Sequence, residues 1–251
     1  MTAPLLSVNR LSKRFGALSV NDEISLDVRT GELHALIGPN GAGKTTLINL
    51  LSGAIACDGG RVVFDGEDVT RLDLTERARR GLARSYQITS LLPRYTALAN
   101  VALAVQARSG SSYRFFGRVA GERALNAAAQ AALARVGLGG RGSVRAGVLS
   151  HGEQRLLEIA VALASAPKLL LLDEPFAGLG QEESKACIDL IRELKSELTI
   201  VLVEHDMGAV FSLADSVSVL VAGRILATGS PAEIRADAEV RAAYLGEEEF
   251  A

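Results

Sequence analysis

Two cysteines in 251 residues, Cys57 and Cys187, are too few and too far apart for a disulfide framework, and they match no metal-ligand spacing. Reduced thiols in a cytosolic protein are the expectation. Long apolar runs are missing as well. Apolar stretches such as LTIVLV and KLLLLD fall far short of the ~18 to 20 residues that a membrane-spanning helix needs. The N-terminus, MTAPLLSVNRLSKRF, has no charged segment followed by a long apolar core, so no signal peptide is expected. An excess of either charge is absent too. A net charge of −2 gives no general attraction to nucleic acid or to an anionic membrane. What remains is an ordinary folded composition, 48% apolar and 22% charged, long enough to bury a sizeable core.

Local pattern then divides the chain. LLSVNRL, VNDEISLDV and ELHALIG read as strands, with Ile24, Leu26 and Val28 alternating toward one buried face. A glycine-rich turn and a helix, TTLINLLSG, follow, and Gly53 closes the helix. RVVFDGEDV reads as a strand and turn. From about Thr75 to Ala166 the pattern is helical, with the alanine-rich ALANVALAVQA and ERALNAAAQAALARVGL. Strands return in KLLLLDEP, LTIVLVEHD, VSVLV and RILATG, and the first two are continuous apolar runs suited to central parallel strands. The helix QEESKACIDLIRELKSE between them gives a βαβ rhythm. SPAEIRADAEVRAAYL starts with Ser230 as N-cap, Pro231 at N1 and Glu233 at N3. An α/β core, 1–87 and 167–251, with a helical insertion at 88–166, is the expected single domain.

Residues 38–45, Gly38, Pro39, Asn40, Gly41, Ala42, Gly43, Lys44 and Thr45, fit G-x-x-x-x-G-K-[ST] between a strand and a helix. In that setting backbone N–H groups curl around phosphate oxygens. Lys44 would neutralise the β and γ phosphates, and the Thr45 hydroxyl would ligate Mg²⁺. LLLLDEP supplies carboxylates for the same chemistry. Asp173 ends a buried strand, where a carboxylate is costly unless it serves a cation. Glu174 is placed to polarise water.

A second anion site is suggested by LSHGEQRLLEIA. Ser150 and Glu153 have the spacing of a capping box, and Gly152 leaves room for a close approach to the helix start. On local spacing alone a merely structural capped helix explains the same residues. His205 alone is equally well a packed polar side chain, Gln87 alone a surface glutamine and Phe15 alone a core aromatic.

Taken in order, these pieces resemble an ABC-transporter ATP-binding subunit over nearly the whole chain. GPNGAGKTT looks like the Walker A loop, with Thr46 at its end, LLLLDEP like Walker B and LSHGEQ like the ABC signature. The resemblance implies a P-loop NTPase fold of the ABC type: a mostly parallel core sheet, an antiparallel β subdomain and a helical subdomain. It implies ATP and Mg²⁺ as ligands, with Thr45, Gln87 and Asp173 around the metal. Gln87 takes the Q-loop position, His205 that of the switch histidine, and Phe15 that of an aromatic stacking on adenine. Ser150, Gly152 and Glu153 would face ATP held by a second ATPase subunit, a copy or a paralogue. Transmembrane permease subunits would hold the chain at the cytoplasmic face of the membrane, with 88–100 forming a groove for a coupling helix. A periplasmic or extracellular solute-binding protein would act at one remove.

More narrowly, GLARSYQITSLLP, DEPFAGL, VEHDMGAVFSLAD and AEVRAAYLGE are similar to the branched-chain amino-acid importer type. In AGLGQ, Gly180 stands where the family often has an aspartate, and His151 and Glu153 replace glycines usual in the signature. The alternative is a soluble ABC-type ATPase not coupled to transport, acting on ribosomes or chromosomes. Its ribosomal form carries two cassettes and its chromosomal form a long coiled coil, and this sequence has neither. A P-loop kinase would lack LSHGEQ, and a non-hydrolysing module would not need Lys44, Asp173, Glu174 and His205 together. No nucleic-acid partner is expected.

Overall fold

The computed structural model describes residues 3–85, 91–108 and 123–243. Two sheets organise them. The larger is six-stranded, and its middle is a parallel run flanked by one antiparallel edge strand. In spatial order it comprises β10 (Arg224–Gly229), β9 (Ser216–Val221), β3 (Leu33–Ile37), β8 (Thr199–Val203), β7 (Leu169–Asp173) and β6 (Leu82–Arg84). The smaller is antiparallel, in the order β2 (Leu18–Val28), β1 (Leu6–Phe15), β4 (Gly59–Phe64) and β5 (Glu67–Asp68).

Continuous apolar sequence makes β7 and β8 central, because both of their faces are covered. On β7, Leu170 and Leu172 join the core formed with α3 (Ala97–Arg108), α4 (Arg123–Arg135), α5 (His151–Ala164) and α6 (Gln181–Lys195). Leu169 and Leu171 point the other way, into the core shared with α1 (Lys44–Ser52) and the antiparallel sheet. Each such leucine contributes about 1.5–3 kcal/mol by burial. On β2, Ile24, Leu26 and Val28 are buried as their alternation requires. In α4 the buried residues are Leu125, Ala129, Ala132 and Leu133, one stripe at helical spacing.

Helix ends follow the sequence signals closely. Gly53 closes α1 in the left-handed region, φ 78°. Ser150 and Glu153 form a reciprocal capping box on α5, and Ser230 and Glu233 form one on α8 (Pro231–Ala236). Two details differ from the sequence reading. Within the stretch read as helical, Leu82–Arg84 is an edge strand, pairing in parallel with Leu169–Leu171. The C-terminal segment read as one helix breaks at Asp237, whose carboxylate accepts from the N–H groups of Glu239 and Val240 and starts α9 (Ala238–Ala243).

Two further helices complete the frame. α2 (Leu74–Arg79) carries Arg77, which is buried and donates to the carbonyls of Leu50, Leu51, Thr70 and Leu72. A cation is thereby fixed at the C-terminal end of α1, where the helix dipole favours it. α7 (Met207–Leu213) starts at Asp206, which caps Ala209 N–H.

Candidate functional site

Register aligns the strand ends that matter. Leu36 of β3 pairs with Val203 of β8, and Val203 pairs with Asp173 of β7. Gly38, His205 and Glu174 therefore leave the sheet along one edge, on strands about 4.8 Å apart.

The glycine-rich turn follows β3. A Cβ on Gly38 would lie 2.1 Å from the carbonyl oxygen of Leu220, so only glycine fits. At Gly43, φ is 103° and a Cβ would meet Val20 O at 2.6 Å and Asn21 Nδ2 at 2.8 Å. The turn is laced below by Gly223 N–H to Ala42 O, 3.0 Å. Lys44 is buried, and its Nζ donates to Gly38 O at 2.5 Å and Pro39 O at 3.1 Å. The N-terminus of α1 has no side-chain cap and no acid in its first turn, so its N–H groups and dipole remain available to an anion. Asn40, Gly41 and Thr45 are exposed and Thr46 is half-buried beside them.

Asp173 is fully buried. Its Oδ2 accepts from Arg84 Nη2 at 3.0 Å, while Oδ1 has no hydrogen-bond partner among the described residues. Burial raises the carboxyl pKa, and the Arg84 charge opposes that rise. Arg84 also donates to Asn49 Oδ1 and Ser52 Oγ on α1. A buried, orphaned carboxylate oxygen suits a divalent cation. Among the described residues no three His, Cys, Asp or Glu side chains gather for a metal. The orphaned Asp173 oxygen is a donor of the kind magnesium takes, one or two carboxylates together with phosphate and water oxygens.

Glu174 has φ 47°, in the left-handed region that a non-glycine residue enters only at a cost of about 1–3 kcal/mol. Its N–H donates to Val203 O at 2.9 Å, and its carbonyl accepts from Arg155 Nη2 of α5 at 2.6 Å. The ring of His205 is 57% exposed, which removes the packed-core reading, and its Nδ1 is 3.6 Å from Glu204 Oε2. Glu204 itself is fully buried. Its pKa is raised by that burial, against the pull of the Phe176 and His205 amides. Phe15 is 52% exposed beside Lys13 Nζ, 5.5 Å from the ring centroid, so it is no core residue. Gln87 lies outside the described residues.

The second helix start has different neighbours. Ser150 Oγ accepts from Glu153 N–H at 3.1 Å, and Glu153 Oε2 accepts from Ser150 N–H at 2.9 Å. The Glu153 carboxylate also pairs with Arg141, at 2.7 and 3.1 Å, and these contacts hold its pKa below the usual range. Ser150 Oγ donates to Glu183 Oε1 of α6 at 3.4 Å. A Cβ on Gly152 would lie 2.5 Å from the Glu183 carboxyl carbon, so the glycine makes room for that side chain. Glu183 also accepts from Gly180 N–H at 3.2 Å. One carboxylate thus ties the start of α5 to the start of α6.

Arg84, Arg155, Glu183 and Glu204 escaped the sequence reading. The only trace of them is a charge beside an apolar strand or inside an otherwise apolar helical stripe.

Residues 21–177 match the ABC transporter family, and the chain belongs to it. Residues 224–249 match the branched-chain amino acid ATP-binding cassette transporter family. The chain is 39% identical to LivG of Salmonella typhimurium, a high-affinity branched-chain amino acid transport ATP-binding protein, over 98% of this chain and 100% of that one. It is 38% identical to BraF of Pseudomonas aeruginosa, with the same description and coverage. Among solved structures, a nucleotide-free ATP-binding cassette from an ABC transporter superposes with a TM-score of 0.85 at 28% identity, covering 97% of this chain and 99% of that one. The ADP conformation of MJ1267, an ATP-binding cassette of an ABC transporter, gives 0.86 at 29% identity, covering 98% and 100%.

Proposed function

We propose that this chain binds and hydrolyses ATP to power an ABC importer for branched-chain amino acids or a similar small organic solute. The observation that carries the reading is the unsatisfied, buried oxygen of Asp173, abreast of the Lys44 loop and next to Glu174. The names of the relatives supply the solute class and the transport role, and the likeness of the sequence to the importer type supplies the direction.

In this reading the N–H groups of residues 38–45 cradle the phosphates of ATP. Lys44, now on the loop's own carbonyls, turns to the β and γ oxygens. Thr45, Asp173 and Gln87 hold Mg²⁺, which when bound neutralises phosphate charge. Glu174 orients or deprotonates the attacking water, and His205 holds the γ-phosphate end in line. Thr46 lies with the phosphates, and the exposed ring of Phe15 offers a face for adenine. Ser150, Gly152 and the capped start of α5 meet ATP carried by a second ATPase subunit, and Glu153 keeps that start in shape. The Ser150 hydroxyl then exchanges Glu183 for phosphate.

Permease subunits hold the chain at the cytoplasmic face in this reading, and no helix among the described residues is long and apolar enough to cross a membrane. A docking patch for them is at hand. Leu92, Tyr95 and Val148 are exposed, and Ala146 N–H to Tyr95 O and Gly147 N–H to Pro93 O bring them together. The helices α3, α4 and α5 move together as the helical subdomain when the two ATPase subunits close. A solute-binding protein delivers the cargo on the far side. This patch favours the transport reading over a soluble ATPase.

The test is leucine uptake into vesicles holding the permease pair, the binding protein and this chain. Uptake should require ATP inside and be lost with Lys44→Ala, which should also lose tight ATP binding. Uptake that persists without the chain would refute the reading.

A further inference from the structure

We propose that Glu204 is a positioning residue that sets the spacing between Glu174 and His205. The inference rests on the reading that these two residues act in ATP hydrolysis.

Glu204 follows the last residue of β8 and has no exposed surface. Its Oε1 accepts from Phe176 N–H at 3.0 Å, on the loop that leaves β7. Its Oε2 accepts from His205 N–H at 3.0 Å, on the loop that leaves β8. Phe176 is two residues past Glu174, whose own N–H is fixed on Val203 O at 2.9 Å. The segment 174–176 is therefore pinned at both ends to residues 203 and 204. The His205 ring is mostly in solvent, so packing does not orient it, and the backbone grip of Glu204 does.

Why a carboxylate stands here follows from the geometry. Burying one is costly unless its oxygens are filled. Here amides of two different loops fill them, Phe176 from the loop after β7 and His205 with Asp206 from the loop after β8. A neutral amide side chain has a single accepting oxygen and would turn its NH₂ toward the N–H groups of one of the two loops. One loop would then be released, and with it the relation between the water-activating group and the phosphate-facing histidine. A displacement of about 1 Å at a reacting group can cost on the order of 10²-fold in rate.

The experiment uses the full chain and steady-state ATP turnover, with Glu204→Gln and Glu204→Asp. Aspartate keeps the charge but is one methylene too short to reach both loops. Both variants should lose about 10- to 100-fold in kcat, while KM for ATP and the Kd for ADP stay within about twofold. Ile191→Val, a core change on α6, lowers the melting temperature without that loss and separates positioning from general weakening. In a Glu174→Gln background, Glu204→Gln should cost less than about twofold more, because its effect passes through the missing base.

Near-wild-type kcat in both variants, nucleotide affinity falling in step with kcat, or a full additive loss in the Glu174→Gln background would each overturn the proposal. The two readings fail differently. Wild-type turnover in Glu174→Gln removes the assignment of the base and this inference with it. A slow Glu174→Gln beside an unaffected Glu204→Gln removes this inference alone.

Discussion

Arg84→Met strands a charge and leaves the rest of the fold in place. Arg84 and Asp173 form an ion pair at 3.0 Å, with their side chains 5% and 0% exposed. Methionine keeps much of the apolar stem but removes the guanidinium. Asp173 then has neither oxygen satisfied. Removing one partner of a buried pair costs about 3–5 kcal/mol, a large share of the 5–15 kcal/mol that holds a domain together. At about 2.1 cal/mol/K per residue, a chain of 251 residues unfolds with an entropy of about 0.5 kcal/mol/K, so the melting temperature should fall by about 6–10 °C. The same substitution in an Asp173→Asn background leaves no charge behind. There the cost should fall to that of lost neutral hydrogen bonds, those to Asn49 and Ser52 among them, about 1–2 kcal/mol or 2–4 °C. Thermal unfolding of the four proteins by circular dichroism, without nucleotide, measures both numbers. Equal losses in the two backgrounds would refute the idea that the ion pair compensates the buried carboxylate.

Other outcomes are expected. For Glu32, burial pushes the pKa up, but hydrogen bonds from His34, the Arg29 amide and Ser216 overcome it and hold the group at about 2. A lowered carboxylate pKa stabilises above the unfolded value of 4.5 and is lost as pH falls toward 2. Glu32→Gln should therefore cost on the order of 2 kcal/mol at pH 7 and almost nothing near pH 2, and a gap that does not change with pH in urea unfolding would exclude the linkage. Gly38→Ala, driving a Cβ to within 2.1 Å of Leu220 O, should lower ATP affinity at least tenfold. Gly41→Ala, with φ 79° and open space around its Cβ, should cost only about 1 kcal/mol of stability, and equal effects at the two positions in titration calorimetry would contradict the close-approach argument. Ser150→Arg should abolish ATP-driven dimerisation in size-exclusion chromatography while a single chain still binds nucleotide, and a stable mutant dimer would remove the role across subunits.

Much of the frame was legible in the sequence because the signals were local. A short buried strand, a glycine turn and an uncapped helix stand next to one another at 33–52, and their order is the local signal of the proposed phosphate cradle. The capping boxes at Ser150 and Ser230 need only three residues of spacing. Leu82–Arg84 was missed because three residues show no period, and its strand character comes from pairing with β7. The break at Asp237 was visible in principle, since an aspartate within a helical run is also a cap, but the run of alanines around it read as continuous helix. Arg84, Arg155 and Glu204 were illegible for a different reason. Each is a charged side chain with at least one partner 18 to 89 positions away in the chain, and no local pattern reveals a partner at that distance.

The backbone at residue 174 is one in which glycine would rest comfortably. Glutamate stands there instead, held by Val203 O on one side and Arg155 on the other. A glycine substitution would relieve about 1 kcal/mol of torsional strain and lose the carboxylate. The torsional preference of the backbone and the water-activating role proposed for the carboxylate thus call for different residues at this single position, and the chain carries the one that keeps the carboxylate.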